Sequence, residues 1–357
     1  MKSGILTFHR TANYGSCLQA YALYKKVVNL GYDCELIDYR CEAVESRESI
    51  GTKKSFKSIK SYILQMLEQK ISKKKYKGLM DFLYKNAKIG KEYFKNNIIE
   101  ANKEYDKFIV GSDIVWGTDI TEGDYTYFLD FVKEDDKKFA FSSSIGNCER
   151  IKGEEKEKIS KLLKSFNKIS VREADAACWT EEITKKQVDL VCDPTMLLEA
   201  KEWDEIVSPK TKKKNYVLIY FVDEKSKIFK DAISYANKNG LKVYFITKSI
   251  KPIKGVRILR PSTLSEFLGL IKGANFVFTA SYHGLLFSLY YHKEFLYYKR
   301  AHSSRVVSLA QRFGIEGRCG NEYDTSSCKS IDYENIDKLI EEFRDSSTQV
   351  LQEILQR

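Results

Sequence analysis

Ser281, Tyr282, His283 and Gly284 lie between a short β-prone run, Phe276-Val277-Phe278, and an apolar stretch from Leu285 to Tyr291. The spacing predicts a buried strand, a polar turn and a helix within residues 275–298. In an open α/β sheet such a turn is where ligands bind, beside helix N–H groups that favour an anion. An imidazole there titrates near neutrality and could give or take a proton. A histidine that only caps a helix fits the same pattern, so position alone leaves both roles open for His283. Asn13, Asp113, Ser142, Ser143, Ser144 and Arg172 also fall where strands are expected to end. Strand ends of a parallel sheet point to one edge, so these residues are expected to share a crevice. Taken singly, each is more often a cap or turn residue, and it is their joint placement that points to a site. Among the remaining histidines, His9 beside the first turn is a candidate for the crevice. His292 is expected to be structural, and His302 to be exposed in a polar loop.

The elements that must position these groups follow an α/β rhythm. Strands are expected at 2–8, 34–38, 107–111, 139–143, 169–171 and 188–191, with helices at about 16–30, 154–166 and 174–180. The loop before the first helix is not G-x-G-x-x-G, so a dinucleotide fingerprint is lacking. Between 53 and 100 the rhythm breaks. Phe56, Ile59, Ile63, Met66, Leu67 and Ile71 recur at helical spacing among lysines, and a second helix is expected at 79–84. The run P-K-T-K-K-K at 209–214 reads as a domain junction. Strands then recur at 216–221, 241–246, 256–259, 276–279 and 294–298. Helices are expected at 224–239, at 262–272 with Ser262 as its cap, at 304–313, and at 332–357 with an apolar stripe. The whole reads as α/β, with two Rossmann-like domains and an inter-domain cleft. The domains span 1–205, with a basic helical insertion at about 50–100, and 206–330, followed by a C-terminal helix at 331–357.

The totals agree with two folded domains. The chain has 357 residues, 43% hydrophobic and 13% aromatic, which excludes a disordered protein. No run of 18 apolar residues occurs, and the chain opens on a strand, so a cytoplasmic location is expected. Its eight cysteines form no C-x-x-C pair and show no zinc spacing. They are expected to be reduced and buried, and no metal site is expected. Net charge is +11, and residues 53–107 alone carry fifteen lysines against six acidic residues. No nucleic-acid motif accompanies them, so no nucleic-acid partner is expected. Two readings of this segment remain. One is a solvated lysine face on an inward-packing helix, and the other is contact with an anionic membrane surface or an acidic substrate.

Several stretches together resemble the polysaccharide pyruvyl transferase family. They are Asn13-Tyr14-Gly15-Ser16-Cys17-Leu18-Gln19-Ala20-Tyr21-Ala22-Leu23, Phe108-Ile109-Val110-Gly111-Ser112-Asp113-Ile114-Val115-Trp116 and Ile169-Ser170-Val171-Arg172-Glu173. Asp193-Pro194-Thr195, Ser281-Tyr282-His283-Gly284 and Ser304-Arg305 with Leu309 and Gly314 complete the series. The resemblance implies a GT-B-like fold and transfer of the pyruvyl group of phosphoenolpyruvate to two sugar hydroxyls, giving a ketal and free phosphate. It implies an acceptor-sugar side in the first domain and a phosphoenolpyruvate side in the second. It associates Arg172 and the Ser281-to-Gly284 turn with phosphoenolpyruvate. Phosphoenolpyruvate serves as donor substrate, and no cofactor is implied. The acceptor expected is a cell-surface glycan precursor, with a lipid-linked oligosaccharide at the inner membrane face as one form.

That chemistry matches the residue types. Arginine forks bind phosphate and carboxylate bidentately, which suits Arg172 and Arg305. His283 is expected as general acid or phosphate contact, and Asp113 to orient the sugar or accept its proton. Asn13, Tyr14, Gly15, Ser112, Ser143, Ser281 and Gly284 are expected to contact substrate. The alternative reading is a GT-B-type glycosyltransferase using a nucleotide sugar; a non-enzymatic scaffold ranks below both.

Overall fold

The computed structural model describes residues 1–49, 59–207, 214–220, 227–299 and 304–357. The expected junction at 209–213, the start of the basic insertion with Phe56, and His302 lie outside the described residues. The chain divides into two compact units. The first comprises Met1–Thr52, Met80–Leu198 and Glu342–Arg357, and the second Lys53–Leu79 and Glu199–Glu341.

The first unit is built on one parallel sheet. Its strands are β1 (Lys2–Leu6), β2 (Asp33–Tyr39), β3 (Ile89–Tyr93), β4 (Lys107–Val110), β5 (Lys138–Ser143), β6 (Lys168–Val171) and β7 (Asp189–Leu190). They run in the order β3-β2-β1-β4-β5-β6-β7. All of β4 and β5 is buried, as expected when helices cover both faces of a parallel sheet. The order reverses between β1 and β4, so the loops after these two strands flank the switch point of the sheet. Strand β3 was not anticipated. Its sequence IGKEY is short and charged, which suits a sheet edge and hides a strand from hydrophobic patterning.

The second unit repeats the plan. Strands β8 (Tyr216–Tyr220), β9 (Lys242–Ile246), β10 (Arg257–Leu259), β11 (Phe276–Thr279) and β12 (Glu294–Tyr297) are all parallel, in the order β10-β9-β8-β11-β12. Here the switch point lies between β8 and β11.

Two long helices carry the chain from one unit into the other. Residues expected to form two helices in the insertion make one, Ile59–Asn86, which starts in the second unit and ends in the first. Gly78 lets this helix lie against the 262–263 backbone, because a Cβ there would sit 2.1 Å from the Ser262 carbonyl oxygen. In the first unit Phe82 meets Tyr21 edge to face at 5.1 Å. The terminal helix, Tyr333–Gln356, ends in the first unit. There the buried Lys107 amine donates to the Ile354 and Leu355 carbonyls at 2.6 and 2.8 Å. Those carbonyls have no helical partner, and Lys107 fills the vacancy. Burial lowers the Lys107 amine to about 8.

Two smaller expectations change. Thr263, not Ser262, caps the helix Leu264–Lys272, its hydroxyl accepting from the Glu266 N–H. Cys178 is exposed, and Cys148 and Cys328 are half-buried, because they lie on helix and loop surfaces rather than in the sheets. No helix among the described residues is long and apolar enough to cross a membrane.

Candidate functional site

In the first unit the polar motif residues gather at the carboxyl edge of the sheet, around its switch point. Asn13 is exposed and caps the helix Tyr14–Asn29, its side-chain oxygen accepting from the Gly15 N–H at 2.9 Å. Ser16, one residue on, donates its hydroxyl to the Asp113 carboxylate. Asp113 follows β4 with φ +74°, a conformation that costs a non-glycine residue free energy. Its other carboxylate oxygen accepts from the Ile114 N–H at 2.8 Å. A carboxylate has about four acceptor sites, so these two bonds leave room for a ligand hydroxyl. The half-buried Asp113 is therefore both held and accessible. Tyr14, Gly15 and Ser112 are buried beside it.

Arg172 was expected to clamp an anion. The structure places it in a buried polar network instead. Its Nε donates to Glu173 at 2.8 Å, and one Nη donates to Asp193 at 2.7 Å and to the Ser112 hydroxyl at 3.0 Å. Two carboxylates already balance its charge. The neighbouring groups complete the network: the Ser144 hydroxyl donates to Glu173 at 2.8 Å, and Asp193 also accepts from the Thr195 N–H and hydroxyl. The second Glu173 carboxylate oxygen and the Ser142 hydroxyl are buried with no hydrogen-bond partner. Ser142 has φ +59° and lies in an irregularity of the β5–β6 pairing. Buried polar atoms of this kind call for an explanation, and a strained serine at the carboxyl edge of the sheet accords with a working site.

Ser143 departs from expectation. It is fully buried, and its hydroxyl donates to the Val110 and Gly111 carbonyls at 3.2 Å. It ties β5 to β4 and presents no surface to a substrate. His9 is also buried, with its Nε2 3.3 Å from Asp38 on β2. Arg10 pairs with the same carboxylate. Burial alone would raise the Asp38 carboxyl, but the hydrogen bonds from Arg10 and His9 outweigh it and bring it down to about 2. His9 therefore belongs to a structural cluster, and His292 likewise stacks on Tyr333 and pairs with Asp337.

A pocket of about 270 Å³ opens on the loops after β4 and β5, lined by Gly117, Thr118, Asp119, Asn147 and Arg150 among others. None of these residues, nor Glu173, Asp193 and Ser16, stands out in the sequence as a site member. Glu173 and Asp193 stood inside noted motifs, but nothing in their spacing showed that both would close on Arg172.

In the second unit Ser281 is the N-cap of the helix Tyr282–Tyr290, and its hydroxyl accepts from the Gly284 N–H at 3.3 Å. The Thr279 hydroxyl accepts from the Ser281 N–H at 3.0 Å and donates to the Tyr220 carbonyl at 2.6 Å, joining the turn to β8 across the switch point. Gly284 permits this closeness. A Cβ there would lie 2.4 Å from the Thr279 hydroxyl and 2.9 Å from the Tyr220 ring. His283 is half-buried on the first helical turn, its ring edge-on to Tyr282 at 5.2 Å. Tyr282 and His283 open the first turn of this helix, where the dipole favours negative charge. Arg305 is half-buried on the helix Ser304–Arg312, which packs against Tyr282–Tyr290.

Two parallel α/β units, each with a polar turn at its switch point, define a GT-B-like fold. Solved structures agree at the level of fold. UDP-N-acetylglucosamine 2-epimerase from Rickettsia bellii is 10% identical with a TM-score of 0.51, covering 99% of this chain and 95% of that one. The epimerase from Methanocaldococcus jannaschii, solved with UDP-GlcNAc and UDP, is 12% identical with a TM-score of 0.50, covering 100% and 99%. An alpha-glucosyltransferase solved with UDP and DNA is 10% identical with a TM-score of 0.50, covering 98% and 90%. A search of curated proteins finds no significant match. The family described as polysaccharide pyruvyl transferase matches residues 13–302. The chain belongs to that family and is a transferase by membership.

Proposed function

We propose that this protein moves the pyruvyl group of phosphoenolpyruvate onto two hydroxyls of a sugar in a surface-polysaccharide precursor, forming a ketal and releasing phosphate. Family membership supports the reading. The observation that carries it is the half-buried imidazole of His283 on the first turn of a capped helix at the second switch point.

The reaction needs a proton on the enol methylene carbon. Protonation turns the carbon bearing phosphate into an oxocarbenium-like centre. One sugar hydroxyl adds there, the bond to phosphate breaks, and the second hydroxyl closes the ring. The hydroxyls lose two protons overall. One balances the proton fixed in the new methyl group, and the other leaves with phosphate. His283 supplies the first proton, a role suited to an imidazole near neutral pH. The N–H groups of Tyr282 and His283 and the Arg305 guanidinium hold the donor's phosphate and carboxylate. Ser281 and Gly284 shape this turn.

Asp113 orients the acceptor sugar by accepting its hydroxyl, assisted by exposed Asn13. Tyr14, Gly15 and Ser112 form the floor beneath them. Arg172 acts as a positioning residue, fixing Ser112 and the β6 end through its two carboxylates.

The test is phosphate release by the purified protein from phosphoenolpyruvate with a panel of oligosaccharides. Release that depends on an acceptor is expected, and His283→Ala should lower kcat by about 10²- to 10⁴-fold. Consumption of a UDP-sugar with no use of phosphoenolpyruvate would overturn the reading in favour of glycosyl transfer. Full activity in His283→Ala would overturn the assignment of the proton donor.

A further inference from the structure

The helix Ile59–Asn86 carries an exposed face that the proposed reaction does not use. Tyr62, Ile63, Met66 and Leu67 are 45%, 51%, 51% and 46% exposed. Lys70, Lys73, Lys74 and Lys77 follow and are exposed as well. At 100° per residue, these eight positions fall within an arc of about 140°. They form a single solvent-facing strip in two halves, apolar for two turns and then cationic for two. The halves are centred about 13 Å apart along the axis. No acidic residue between 62 and 77 lies on the strip; Glu68 lies on the other side. An apolar repeat that packs inward does not fit the exposed Tyr62, Ile63, Met66 and Leu67.

Isolated exposed apolar side chains are ordinary, but four on adjacent turns form a patch that water disfavours. The opposite side of the helix is more enclosed, since Leu64, Glu68, Ile71 and Lys75 there are half-buried, and Gly78, just past one edge of the strip, lies directly against the Ser262 carbonyl. The neighbouring lysines decide what covers the patch. Another copy of this strip would bring like charges together, whereas a surface with apolar depth beneath anionic headgroups complements both halves.

We infer that this strip is a membrane-docking surface for anionic lipid. Tyr62, Ile63, Met66 and Leu67 enter the boundary between headgroups and acyl chains, and Lys70, Lys73, Lys74 and Lys77 rest on the headgroups. The helix therefore lies along the surface with its N-terminal half deeper. The inference does not depend on pyruvyl transfer, because docking is read with neither donor nor acceptor present.

The experiment is co-sedimentation of the full chain with phosphatidylcholine vesicles containing about one third phosphatidylglycerol, against pure phosphatidylcholine. Binding to the anionic vesicles alone is expected. Substituting Gln at Lys70, Lys73, Lys74 and Lys77 should weaken it at least about tenfold at low salt. The variant Ile63→Ser/Met66→Ser/Leu67→Ser should weaken it at least about tenfold at high salt, where apolar insertion carries the binding. These positions are exposed, so the variants should fold, as circular dichroism will show. As a second readout, Leu67→Trp should add emission that shifts to the blue with anionic vesicles. Failure of the wild type to bind, or binding unchanged by the serine substitutions, would overturn the inference. So would light scattering showing a dimer that the serine substitutions dissociate, since a second copy would then be the occupant.

Discussion

Arg172 shows how a residue can be found in a sequence while its role stays hidden. Its position at the end of β6 was legible from the short apolar run before it. Its burial between Glu173 and Asp193 was not, because the partners come from the next residue and from a loop beyond β7. Removing one partner of a buried ion network leaves the others uncompensated. Arg172→Ala should therefore destabilise the protein by about 3–5 kcal/mol, read from the shift in urea midpoint. A surface anion clamp would leave the midpoint in place. Asp38 gives a pH signature. Its carboxyl is depressed in the folded state to about 2, so it stabilises the fold at pH values above its unfolded value near 4. That contribution, about 2 kcal/mol, is lost as pH falls through about 2. Asp38→Asn should flatten the fall in stability between about pH 4 and pH 2; a curve parallel to wild type would contradict the Arg10–His9–Asp38 cluster.

The elements were legible where hydrophobic patterning fixes them and obscure where contact does. Strand β11 and the turn after it stood out because an apolar run, small polar residues and an apolar helix follow one another within a few residues. Strand β3 did not, since an edge strand of alternating charge resembles a loop. The helix Ile59–Asn86 was expected as two, because its apolar periodicity weakens across the lysine turns although its backbone continues. Two glycines control how closely such elements approach. Gly78→Ala drives a Cβ into the Ser262 carbonyl and should cost about 1–3 kcal/mol by overpacking. Gly284→Ala meets Thr279 and Tyr220 and moves the turn bearing His283, so catalysis should fall more than stability. Equal activity in Gly284→Ala and wild type would separate that turn from the chemistry.

At the scale of the whole molecule, the α/β rhythm was enough to foretell two parallel sheets, because helical and strand periods alternate through most of the chain. The allotment of segments to compact units was not legible. Residues 53–79 group with the second unit and 342–357 with the first. The contacts responsible, such as Gly78 on Ser262 and Lys107 on Ile354, join residues far apart in sequence. The family match spans residues 13–302 and therefore draws on both units. The central claim, protonation of the enol carbon of phosphoenolpyruvate followed by ketal formation, is tested most directly by running the reaction in D₂O and analysing the saccharide by mass spectrometry and NMR. The account predicts a ketal whose methyl group carries one carbon-bound deuterium, formed with release of phosphate and lost in His283→Ala. A saccharide that gains a hexose from a nucleotide sugar, or a product with no new methyl group, would contradict it.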